Sequence, residues 1–175
     1  MEVDPRYPVG KLEKKGPLTP DERKHMIESL AQAPARFRAA VAGLNDKQLD
    51  TRYRDGGWTV RQVIHHVADS HMNAYIRFRF AVTEAEPKVR AYDEKAWAEL
   101  ADARTAPIEP SLKLLDGIHE RWVILLHNVR EIDFNRGLNH SENGHMTLDD
   151  VLADYEWHSR HHEGHITNLR KKNAW

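Results

Sequence analysis

Asp154-Tyr155-Glu156-Trp157-His158-Ser159-Arg160-His161-His162-Glu163-Gly164-His165 carries four of the chain's twelve histidines. Around it Leu148, Val151, Leu152, Tyr155, Ile166 and Leu169 recur at the offsets of a helix with one buried face. The stretch therefore predicts an amphipathic helix near the C-terminus. Thr147 supplies a capping hydroxyl, and Asp149 and Asp150 an acidic first turn.

Two pairs in this helix have the H-x3-H spacing, His158 with His162 and His161 with His165. Residues four apart stand one turn above each other, so either pair could grip one metal ion, and neutral imidazole suits zinc, nickel and copper. At about 100° per residue His162 falls near the middle of the apolar face and His158 on its flank. His161 lies roughly a third of a turn away and His165 slightly beyond the face. A pair that binds inside a bundle points inward, which favours His158 and His162 and leaves His161 and His165 as rim residues or as outer partners of the ligands. Two histidines do not close a site, so a further ligand must come from elsewhere.

Composition narrows the alternatives. The 175 residues suit a single domain able to bury a core without staples. There is no cysteine, which excludes disulfides, thiolate metal sites and cysteine nucleophiles. With 26 basic and 27 acidic side chains the formal charge is −1, giving no reason to expect nucleic acid or a membrane as partner. No apolar run approaches the roughly 20 residues of a spanning helix, and Met1-Glu2-Val3-Asp4 lacks a signal peptide's apolar core, so a cytoplasmic protein is expected.

Along the chain, residues 1–18 hold Pro5, Pro8, Gly10, Gly16 and Pro17 and predict an extended N-terminal arm ahead of a single helical-bundle domain, 19–175. Thr19-Pro20-Asp21-Glu22 starts a helix that should run to about Gly43, with a kink at Pro34. A polar connection, 45–57, leads to the capping box Thr59–Gln62. The helix it opens places Val60, Val63, Ile64, Val67, Ala74, Tyr75 and Phe78 on one face and lasts to about Thr83. Asp93 caps a short helix anchored by Trp97. Pro107 and Pro110 bracket a connection before a third long helix, 111–129, with Leu114, Leu115, Ile118, Trp122, Leu125 and Leu126 inward. Asn139, Asn143 and Gly144 mark a loop or small hairpin. The expectation is all-α: four long helices with one long crossover between the second and third, in a bundle of the kind that builds metal sites between facing helices. Trp58, Trp97, Trp122 and Trp157 are read as core.

The second long helix offers His65, His66 and His71 for the missing ligand. Phase favours His71, in line with Val60, Val67 and Phe78, while His65 and His66 sit on opposite flanks. A cleft between two helix flanks would equally accommodate His66, so periodicity leaves the choice open.

The run Asp55-Gly56-Gly57-Trp58-Thr59-Val60-Arg61-Gln62-Val63-Ile64-His65-His66-Val67-Ala68-Asp69 resembles the signature of the YfiT-like metal-dependent hydrolases of the DinB-like superfamily. Tyr7-Pro8-Val9-Gly10, Tyr92-Asp93-Glu94-Lys95-Ala96-Trp97 and Tyr155-Glu156-Trp157-His158-Ser159 resemble the same group. The resemblance implies a DinB-like four-helix bundle and a metal held by His66, His158 and His162. It implies one divalent ion per subunit, nickel or zinc, a small-molecule substrate and a homodimer, to which the arm could contribute by packing across a neighbour.

Three protein ligands leave a metal open to water, which could serve as nucleophile in hydrolysis. The same ion could hold a small thiol as thiolate for transfer, or serve a non-catalytic binding protein. Asp69, three residues after His66, and Asp154, four before His158, are the carboxylates placed to orient ligands or accept a proton.

Overall fold

The computed structural model describes residues 4–13 and 16–175. Reciprocal caps start four of the described helices. Thr19 with Glu22 opens α1 (Pro20–Val41), Asn45 with Gln48 opens the one-turn α2 (Asp46–Leu49), and Thr59 with Gln62 opens α3 (Val60–Thr83). In each, the first side chain accepts from the amide three residues on, whose own side chain reaches back to the cap amide. Such a cap contributes about 1 kcal/mol. The crossover then forms β1 (Lys88–Val89), α4 (Glu94–Ala98) and α5 (Ala101–Thr105) before α6 (Glu109–Asn128). A 3-10 turn (Glu131–Asn135) leads to β2 (Gly137–His140), β3 (Gly144–Thr147) and α7 (Leu148–Asn173), capped by Thr147 and Asp150.

The four long helices α1, α3, α6 and α7 make a four-helix bundle, as the sequence predicts. α1 packs on α6 and α7, and α3 packs on the same two. The two long helices that come first in the chain therefore occupy opposite corners, and α6 and α7 fill the corners between them. One end of the bundle carries a small sheet, where β2 and β3 form an antiparallel hairpin and β1 joins β2 in parallel. Gly144 turns the hairpin with φ +71°, a conformation that costs a residue with a Cβ. The sheet joins the crossover to the start of α7 and leaves the helical architecture intact.

Several boundaries differ from the sequence reading for local reasons. Pro110 lies inside the first turn of α6, where its missing N–H costs nothing, so the helix begins at Glu109. This frame buries Leu112 and His119 and exposes Leu114. The polar connection contains α2, which survives on its cap and on Arg61, whose guanidinium reaches both Asp46 and Asp50. Trp97 is only partly buried, against Tyr92 at 4.4 Å between ring centroids. The arm folds onto its own chain: Gly10 O accepts from Trp157 Nε1 at 3.1 Å. A Cβ on Gly164 would stand 2.9 Å from Pro8, so this glycine is where the arm crosses α7.

The core has two apolar clusters. Trp122, wholly buried, gathers Tyr75, Phe78, Leu126, Leu152 and Tyr155; Phe37, Val63, Ile64, Val67, Leu115 and Ile166 form the other. A fully buried side chain of this size stabilises by about 2 kcal/mol. Near the start of α7 the core admits one charged pair. Arg23 meets Asp149 through two contacts, 2.8 and 2.9 Å; Leu18 adds its carbonyl to Arg23 and its amide to Asp149, and Glu131 accepts from Arg23 Nη1 at 2.9 Å.

Candidate metal centre

α3 and α7 bring the predicted residues together. His66 comes from the flank of α3, and His158 and His162 project from successive turns of α7. Their ligating nitrogens lie within 4.8 Å of one another. His66 Nε2 and His158 Nε2 face each other at 3.2 Å, and the His66 ring stands edge-on to His162 with centroids 4.8 Å apart. Trp58, from the turn before α3, covers His66 at 4.6 Å. Burial, with the neighbouring rings adding to it, holds the His66 imidazole down to about 4 and those of His158 and His162 well below their ordinary value. All three rings are therefore neutral at pH 7, the form a metal requires. Three converging imidazole nitrogens with no competing cation among them fit a borderline-soft divalent ion of the zinc or nickel type.

These rings form the floor of a cavity of about 400 Å³ whose walls include Trp58, Arg77, Tyr92, His140, Asp154 and Trp157. Two of the tryptophans expected in the core are thus wall residues. Tyr92 and His140 come from the crossover and the hairpin, so the small sheet closes one side of the cleft. A larger cavity, about 520 Å³, lies between the arm and the start of α7 and has no histidine in its lining.

The two carboxylates separate. Asp154 lines the cleft, while Asp69 does not. Asp69 is pushed up to about 6 by burial and by the charge of Asp102, on the side of α3 that faces the short helices.

The remaining histidines divide clearly. His65 is drawn off by Ser111 Oγ at 2.8 Å and by the Ala106 carbonyl. His71 is fully buried behind the cleft, with its Nε2 3.1 Å from His158 Nδ1. His161 and His165 are buried and line the same cleft, and with His162 they form a second group of nitrogens within 4.8 Å. The arm and the loop before α3 account for their burial: His165 stacks on Tyr53 at 3.9 Å, and His161 lies between Trp157 and Tyr7. Sequence reasoning passed over His119 of α6, which is buried beside His71. Its one signal was a polar residue within the apolar spacing Leu115, Ile118, Trp122.

Comparison with known proteins agrees with this fold. The model of the DinB superfamily matches residues 29–166. "Putative metal-dependent hydrolase YfiT" of Bacillus subtilis (strain 168) is 46% identical over 174 residues, covering 99% of this chain and 98% of the relative. A Bacillus cereus protein of the same descriptive name is 46% identical over 172 residues, covering 98% and 99%. The solved structure of Bacillus subtilis YfiT, described as having an unusual four-helix bundle topology, superposes with a TM-score of 0.96 over 99% of both chains. TT2238, a four-helix bundle protein 17% identical to this chain, reaches 0.57 over 87% of this chain and 99% of its own, a likeness of fold alone. Among the described residues no helix is long and apolar enough to cross a membrane.

Proposed function

The chain belongs to the DinB superfamily, and from that premise we propose that it is a metal-dependent enzyme that hydrolyses a small molecule in the cleft above His66, His158 and His162. The observation that carries this reading is the convergence of three neutral imidazoles at the floor of a walled cavity rather than on an open surface. A divalent nickel or zinc ion bound there keeps its full charge and supplies the Lewis acidity that lowers the pKa of a nearby water toward about 7.

The chain's own residues supply the rest. Trp58 covers His66 and keeps bulk water off that side of the site. Arg77 offers a cation to a polar or anionic part of the substrate, from a guanidinium steadied by the Arg90 carbonyl and the Tyr92 ring. Of the cleft carboxylates Glu94, Glu142 and Asp154, Asp154 shares α7 with His158 and His162 and is our candidate to accept a proton; Asp69 is outside the lining. Taking up a cavity of this size, the substrate is a small molecule.

The test is to strip the metal with a chelator, reload with zinc or nickel, and assay a panel of esters and amides. Hydrolysis that returns with the metal, and is absent in His162→Ala, supports the reading. Conjugation of a small thiol without hydrolysis would replace it with a transferase, and unfolding on chelation would make the metal structural. Light scattering at micromolar concentration tests the homodimer.

A further inference from the structure

Behind His158 the nitrogens form an unbroken chain. His158 Nδ1 lies 3.1 Å from His71 Nε2, His71 Nδ1 lies 2.7 Å from His119 Nε2, and His119 Nδ1 lies 2.8 Å from Leu30 O. His71 and His119 are 0% and 1% exposed, so bulk water does not interrupt the series.

The direction of every hydrogen bond follows from its far end. A carbonyl oxygen can only accept, so His119 Nδ1 carries a proton. Each N···N contact holds one proton between its two nitrogens. His119 Nε2 therefore accepts from His71 Nδ1–H, and His71 Nε2 accepts from His158 Nδ1–H. The proton count leaves His158 Nε2 bare, with its lone pair toward His66 and the cleft. A further proton there would place an uncompensated imidazolium among buried rings.

The anchor exists because of Pro34. In a regular helix the Leu30 carbonyl accepts from the amide four residues later, and proline at that position has none. A buried carbonyl without a partner is costly, and His119 supplies the donor.

We propose that His71 and His119 are positioning residues, which transmit the direction set by the Leu30 carbonyl and fix His158 as the Nδ1–H tautomer with its Nε2 presented to the metal. The proposal rests on His158 being a ligand, as the proposed function has it. Its consequence is a His158 ligand nitrogen set before metal arrives, while the proton that His66 Nε2 shares with it must leave or move to Nδ1 on binding: loss of the relay weakens metal binding without changing its stoichiometry, as expected when an outer partner of a ligand is removed.

Long-range proton–nitrogen correlation spectra of the metal-free protein with ¹⁵N-labelled histidine read the tautomer of each ring. The expected result is Nδ1–H at His119, His71 and His158. A proton on Nε2 of any of the three overturns the proposal. In His119→Phe, zinc affinity should fall about 10- to 100-fold with one site retained, and the His158 tautomer should become mixed. Unchanged affinity with an unchanged His158 tautomer also overturns it. Zinc that leaves the His158 nitrogen signals in place would instead remove the ligand assignment beneath the proposal, even with all three tautomers as expected.

Discussion

His66 Nε2 and His158 Nε2 stand 3.2 Å apart, each on a ring whose burial disfavours protonation. In the metal-free protein such histidines couple folding to pH. A histidine held below its unfolded value of about 6.5 contributes stability that is complete above that value and is lost as pH falls toward the folded value.

The metal-free protein should accordingly lose stability between about pH 6.5 and pH 4. His66, His119 and His161 are each held at about 4 and His165 at about 3, all chiefly by burial. Asp69, raised to about 6, acts in the opposite direction, since its contribution is complete at low pH and is lost as pH rises. One carboxyl does not offset four rings. Urea unfolding at pH 7 and pH 4.5 should show the lower midpoint at acid pH, by on the order of a few kcal/mol, and bound zinc should reduce the loss at intermediate pH. An equal midpoint at both pH values would contradict this.

Asp149→Ala should destabilise by about 2–3 kcal/mol, because the buried Leu18 amide loses its acceptor and the Arg23 guanidinium keeps only Glu131 and the Leu18 carbonyl. Asp150→Ala, which removes only the carboxylate's half of the α7 capping box, should cost at most about 1 kcal/mol. Thermal unfolding of the two variants checks the order; equal losses would mean that the buried pair contributes no more than the cap.

Gly164→Ala should leave the bundle folded and displace the arm. The added methyl meets Pro8 at 2.9 Å, while α7 itself gains a better helix former. Trp157 fluorescence should shift as its bond to Gly10 O is lost, and proteolysis near residue 10 should accelerate with little change in melting temperature. An arm as protected as in the parent protein would contradict the crossing at Gly164.

Much of this was legible in the sequence, and the misreadings have physical causes. The caps at Thr19, Thr59 and Thr147 and the apolar periodicity locate the long helices, since both signals are local. Phase ranked His71 above His66 because phase measures depth in the core, and His71 is indeed the deeper residue. A metal that meets substrate needs a ring at the edge of a cleft, which is where the flank position puts His66; only the family resemblance selected it. The burial of His161 and His165 could not be seen from one helix considered alone, since the arm and Tyr53 cover them. The His119 contribution depends on α6 standing beside α3, and the wall residues Tyr92 and His140 on the sheet that joins distant segments. Neither is a local property of the sequence.

The most direct test of the metal centre is an anomalous difference map from crystals loaded with zinc, recorded on both sides of the zinc edge. A single strong peak per chain bounded by His66, His158 and His162 and open toward the cleft is the predicted result. A peak held instead by His161 and His165, or no peak near α7, would contradict it.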